Sequence, residues 1–120
     1  MTWIICCLTW LLVSPSGQYA GTWTSDSGAN SGKVNVTVAA TGEGDLSFTY
    51  MDQVVKPNKV TAKVGDSEVE FVCYVDLDGF KLKTAFHGTV DGKTMSGKYQ
   101  TVSTDDGSAV DSGTWKVTQQ

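Results

Sequence analysis

A chain of 120 residues has room for one domain, and this one carries nine cationic residues, all Lys, against thirteen Asp and Glu, for a formal charge of −4. With no Arg and no basic patch to neutralise phosphates, the composition excludes nucleic-acid binding and attraction to anionic lipid headgroups. A hydrophobic fraction of 40 % and an aromatic fraction of 10 % are too high for a disordered chain.

The N-terminus reads as a targeting segment. Trp3-Ile4-Ile5-Cys6-Cys7-Leu8-Thr9-Trp10-Leu11-Leu12-Val13 is an apolar run, followed by Ser14-Pro15-Ser16-Gly17. A run of this length ending in small residues fits a secretory signal over 1–16, with Ser14 and Ser16 as the small residues before the cut. The run is shorter than the ~20 apolar residues needed to cross a bilayer, so no membrane span is expected in the mature chain. The mature domain would then be 17–120, and secreted, periplasmic or displayed at the cell surface. No Lys or Arg precedes the run, and the opposing reading is a first strand or docking segment that stays on the folded protein. On the signal reading Cys6 and Cys7 are lost, Cys73 is left single, and the domain folds without a disulfide.

From Tyr19 onward the apolar residues recur with period two, and no helical period persists over ten residues. An opening strand is expected near 20–25. Val34, Val36 and Val38 share one face of the next, and Leu46, Phe48 and Tyr50 repeat the alternation. Pro57 marks a break or an edge in residues 54–59. Val60, Ala62 and Val64 follow. The most apolar face is Val69, Phe71, Cys73, Val75 and Leu77, followed by Phe80, Leu82, Thr84 and Phe86. Met95, Gly97, Tyr99 and Thr101 come next, and Trp115 and Val117 close the series. That is about eight strands joined by short loops, which favours neighbours pairing as a meander.

Asp78-Gly79 and Asp91-Gly92 are dipeptides suited to two-residue hairpin loops. With both as loops, Leu77 faces Phe80 and Val90 faces Lys93. The rows that follow place Phe71, Phe86 and Gly97 together, so that an aromatic ring covers the strand glycine, and Cys73, Thr84 and Tyr99 together. On the other face Asp76 opposes Lys81, and His87 lies between Glu70 and Ser96. One apolar face must be buried, by closing the sheet on itself or by forming a sandwich. The expected fold is all-β, a single antiparallel up-and-down barrel of about eight strands, the alternative being a β-sandwich or jelly roll.

Gly21-Thr22-Trp23 at the first strand, repeated as Gly113-Thr114-Trp115 at the last, resembles the opening of lipocalins, avidins and fatty-acid-binding proteins, the calycin-type barrels. In lipocalins this Trp closes the barrel bottom against a basic residue of a late strand. The resemblance assigns that part to Trp23 and loosely to Lys116, although the chain has no Arg, no disulfide pair and no interior tryptophan set of the avidin kind. The segment from Gly88 to Tyr99, followed by Ser112-Gly113-Thr114-Trp115, is also similar to short Gly/Thr-rich barrel domains of secreted bacterial proteins.

Four groups of residues carry possible chemistry. The Glu70, His87 and Ser96 row has the residue types of nucleophilic catalysis, but on the face away from the core, where a solvated polar row is the ordinary reading. Cys73 among Phe71 and Val75 is an inert core thiol; with Thr84 and Tyr99 it could instead give polar points to an apolar cavity. The segments 25–32 and 103–113 are rich in oxygen donors without the arrangement of a calcium loop, and they can share one end of the barrel. Asn35-Val36-Thr37 is a glycosylation sequon on an outward strand position.

The function expected is that of an exported, non-enzymatic binding module, without catalytic residues, metal or cofactor, holding a small apolar or amphipathic molecule. The candidate cavity lining is Trp23, Phe48, Tyr50, Phe71, Cys73, Phe86, Tyr99 and Trp115. The alternative is a structural or interaction protein, a cell-surface or fibre subunit using its exposed face or N-terminal strand. Homo-oligomers are compatible with either.

Overall fold

The computed structural model describes residues 16–120 except 42 and 78. The expected signal up to residue 15, with Cys6 and Cys7, lies outside the described residues. The chain forms β1 (Gly17–Ser25), β2 (Ser31–Val38), β3 (Gly44–Tyr50), β4 (Gln53–Val55), β5 (Lys59–Val64), β6 (Glu68–Leu77), β7 (Phe80–Asp91), β8 (Thr94–Ser103) and β9 (Ala109–Gln119). All nine belong to one sheet in the order β4-β3-β2-β1-β9-β8-β7-β6-β5. Among the described residues no helix is long and apolar enough to cross a membrane.

A single curled sheet, not a sandwich, therefore buries the apolar face. Neighbours in sequence pair as a meander, and the first and last strands join antiparallel, with Trp23 opposite Trp115 and Tyr19 opposite Gln119. The two Gly-Thr-Trp segments thus lie side by side at the middle of the sheet.

Two expectations about the architecture need correction. Among the described residues the strand count is nine, against an expectation of about eight, because β4 is a separate three-residue strand. It forms because Met51 and Asp52 both take positive φ, 51° and 64°, and fold the chain back so that Tyr50 opposes Gln53. Positive φ at both central residues is the requirement of a type I′ hairpin, and Met carries no sequence signal for it.

The barrel also does not close: the sheet is a curled half-barrel in which no ladder joins β4 to β5. Eight successive antiparallel pairings lead from β4 round to β5, so these two strands run in the same sense. They are two lengths of one strand that switches partner at Lys56-Pro57-Asn58. The upper length pairs with β3 and the lower with β6. Pro57 has no N–H for a ladder, and the next amide, Asn58, already donates to the Tyr74 carbonyl at 2.7 Å.

The switch has unequal results at the two ends. At one end β3 packs against β5 by side chains: a Cβ on Gly44 would lie 3.0 Å from the Ala62 Cβ and 3.1 Å from the Phe71 ring. At the other, β5 stops pairing at Lys59 opposite Tyr74, and Val75 to Leu77 have no β5 partner. The half-barrel is shut at the Phe71 end and open at the Leu77 end.

The inner face carries the expected residues. Val34, Val36, Leu46, Phe71, Cys73, Met95, Trp115 and Val117 are buried almost completely. The β6–β7 register is as expected, with Phe71 opposite Phe86, Cys73 opposite Thr84 and Asp76 opposite Lys81. The β7–β8 register differs by two residues: Asp91 pairs with Thr94, so Phe86 faces Tyr99 and Thr84 faces Thr101. The loop is Gly92-Lys93, with φ of 62° at Gly92, as in hairpins that place Gly first. A shift of two keeps every side chain on its face. The covering of the strand glycine is correspondingly different. Gly97 faces Gly88, and Trp115 rather than Phe86 lies over the pair, its Nε1 donating to the His87 and Lys98 carbonyls at 3.2 Å each.

Candidate ligand-binding cleft

The open end of the half-barrel holds a cleft of about 1080 Å³. Its walls come from both sides of the strand switch: Phe48 and Tyr50 of β3 on one side, Val75 and Leu77 of β6 on the other, with Leu82, Thr84 and Phe86 of β7 and Tyr99 and Thr101 of β8 between them. Trp23, Ser25 and Asp111 complete it from β1 and β9. Phe80 and Val110, exposed by 70 % and 54 %, stand at the rim, and so make the mouth itself apolar.

Of the eight candidate lining residues, Trp23, Phe48, Tyr50, Phe86 and Tyr99 line this cleft. Phe71, Cys73 and Trp115 are placed instead in the packed half, beyond the cleft wall. The rings form one chain from mouth to closed end. Tyr50 stacks on Trp23 at 6.4 Å, Trp23 meets Tyr99 edge-on at 5.9 Å, and Tyr99 adjoins Phe86 at 5.8 Å. Phe86 then meets Trp115 at 5.7 Å, and Trp115 meets Phe71 at 6.2 Å. Trp23 is fixed by its Nε1, which donates to the Thr49 carbonyl at 2.9 Å. Ring contacts of this kind add to the packing of the cleft wall.

A polar strip crosses this apolar wall. Thr84, Thr101 and Asp111 lie opposite one another on β7, β8 and β9. The two threonine hydroxyls share one hydrogen bond of 2.7 Å and are both buried. Asp111 accepts from the Ser25 hydroxyl at 2.8 Å on Oδ1 and from the Tyr99 hydroxyl at 2.9 Å on Oδ2. Burial raises the Tyr99 phenol far above its ordinary range, helped by its bond to Asp111 and by the charges of Asp111 and Asp26, so it remains a donor. Ser25 is 5 % exposed, and its oxygen also lies 3.1 Å from the Ser27 hydroxyl.

The oxygen-rich segments 25–32 and 103–113 do meet at this end. The Asp26 amide donates to the Ser112 carbonyl at 2.8 Å, and the Ser112 hydroxyl donates to Asp26 Oδ2 at 2.9 Å. Sequence reasoning placed these oxygens in loops and missed that Ser25 and Asp111 belong to the inner face. The signal was present in strand parity: Ser25 is two residues beyond Trp23, Thr101 two beyond Tyr99, and Asp111 two before Gly113.

The other chemical groups lie elsewhere. His87 opposes Glu70 and Lys98, and Ser96 opposes Thr89, so the row of Ser, His and carboxylate does not form. His87 Nδ1 lies 3.3 Å from Glu70 Oε2, with the imidazole 63 % exposed on the outer face. Cys73 is fully buried, and burial with a contribution from the Asp45 charge pushes its thiol up to about 12. Asn35 is exposed on β2.

Fold and cleft together define an antiparallel up-and-down half-barrel with an aromatic-walled pocket at one end. Comparison with family models, curated proteins and solved structures finds no match for the chain.

Proposed function

We propose that this chain is an exported, non-enzymatic binding module that holds a small apolar or amphipathic molecule in the cleft at its open end. The observation that carries the reading is the cleft of about 1080 Å³, walled by aromatic and aliphatic side chains with a few converging polar groups. Ligand sites are built in this way, with apolar walls giving affinity and few polar atoms giving orientation. The Gly-x-Trp opening of β1 and the antiparallel pairing of first and last strands support a calycin-like reading. Export rests on the apolar run of residues 3–13. The polar strip brings Ser25, Tyr99 and Asp111 together without a histidine among the lining residues, an arrangement suited to hydrogen bonding rather than proton transfer.

Titration with N-phenyl-1-naphthylamine, a neutral apolar fluorophore, tests this. A saturable one-to-one enhancement with quenching of Trp23 is expected, and Leu82→Glu in the wall should weaken it about tenfold. A response that does not saturate, or that Leu82→Glu leaves unchanged, refutes the reading.

A second reading, an interaction or fibre subunit, is favoured by the exposed Met51, Val54 and Phe80 beside the open edge. It predicts concentration-dependent assemblies in light scattering.

A further inference from the structure

We infer that the ligand is an amphipathic cation, an apolar body carrying one ammonium group that the cleft seats against Asp111. This rests on the binding reading above and gives that reading a charge.

Charge at the cleft is one-sided. Among the described residues, Asp26 and Asp111 are its only ionisable side chains apart from the tyrosines, and no Lys or His contributes to the lining. The hydroxyls of Ser25 and Tyr99 occupy one site on each Asp111 oxygen, which orients the carboxylate without neutralising it. A carboxylate offers about four acceptor sites, so acceptor capacity remains on both oxygens. A cation is the partner this arrangement lacks. An anionic ligand would meet two carboxylates and no counter-charge.

The neighbouring rings suit the same partner. Tyr99 donates its hydroxyl to the carboxylate, and Trp23 and Tyr50 follow it in the chain of rings that lines the cleft. Aromatic faces attract ammonium groups, more strongly where water is partly excluded.

The strip also holds one donor that the ammonium does not use. Thr84 and Thr101 are 5 % and 8 % exposed, and among the described residues their hydroxyls bond only to each other. Two hydroxyls sharing one bond leave one O–H without an acceptor, at the wall of the cleft and next to Asp111 in the same row. A buried donor left unused is costly, and a ligand oxygen or a bridging water would relieve it.

The test compares decyltrimethylammonium, decanoate and decanol, which share one chain length, each below its micelle-forming concentration, by calorimetry and Trp fluorescence. The ammonium should bind at least tenfold tighter than decanol and decanoate weakest. Asp111→Asn should remove most of that preference, with a cooperative urea transition showing that the variant is folded. Asp26→Asn, in an exposed turn, should reduce the preference by a smaller factor. Equal affinities for ammonium and alcohol, or tightest binding of decanoate, overturn the inference but leave the binding module standing. If none of the three saturates, both fall.

Discussion

Cys73 shows how a single side chain follows from its row. It is an inner-face residue of β6 opposite Val60 and Thr84, and no part of it reaches solvent. Burial penalises the thiolate, so the thiol that ionises at 9.0 in the ordinary case is held protonated up to about 12. The unfolded chain releases its proton first as pH rises. The contribution to stability is therefore complete below about pH 9 and is lost as pH climbs towards 12. Urea unfolding across that window should give a shallower alkaline decline for Cys73→Val than for the parent chain; identical slopes would refute the assignment. The face of Cys73 was legible from alternation. That it packs behind the cleft rather than lining it was not, because parity fixes a side of the sheet and says nothing of depth along the barrel.

Between residues and fold stand the turns, where sequence signals proved uneven. At the β6–β7 hairpin the expected register is observed, with Leu77 opposite Phe80 and Gly79 at a φ of 84°. At the next hairpin the Gly, not the Asp, starts the loop, and the partner strand moves by two. The Met51–Asp52 turn had little signal, since Asp tolerates the positive φ that both adopt but Met does not favour it. That conformation costs an L-residue roughly 1–2 kcal/mol. Replacing the pair by Asn-Gly (Met51→Asn with Asp52→Gly) should raise the unfolding free energy by about 1 kcal/mol. A urea titration measures it, and a lower midpoint would count against the turn described. Met51 is 75 % exposed, so the exchange sacrifices little packing.

For the molecule as described, the sheet has its first and last strands at its centre and the middle of the chain at its edges. β1 and β9 are flanked on both sides, whereas β4 and β5 each have one partner. The edges are also guarded: β4 has three residues, Pro57 interrupts the strand, and Lys56, Lys59 and Lys63 are exposed along it. Opening of the structure should start there. In hydrogen exchange, the amides of Gly21, Trp115 and Val117 should be among the slowest, and those of β4 the fastest of the strand amides that donate to a neighbour. Uniform protection across the sheet would contradict a half-barrel open between β4 and the Val75–Leu77 end of β6.

The amino-acid order by itself determined that this chain is all-β and which side of each strand is buried, because alternation is local and survives any register shift of two. It also marked Pro57 as the weak point and put aromatic residues on the inner face. The tertiary structure alone decided that the strand around Pro57 divides between two partners, which leaves one end of the barrel open. It likewise brought Ser25, Tyr99 and Asp111 together from three strands. Both depend on how far the sheet curls before its edges meet, a property of the assembled sheet that no single segment encodes.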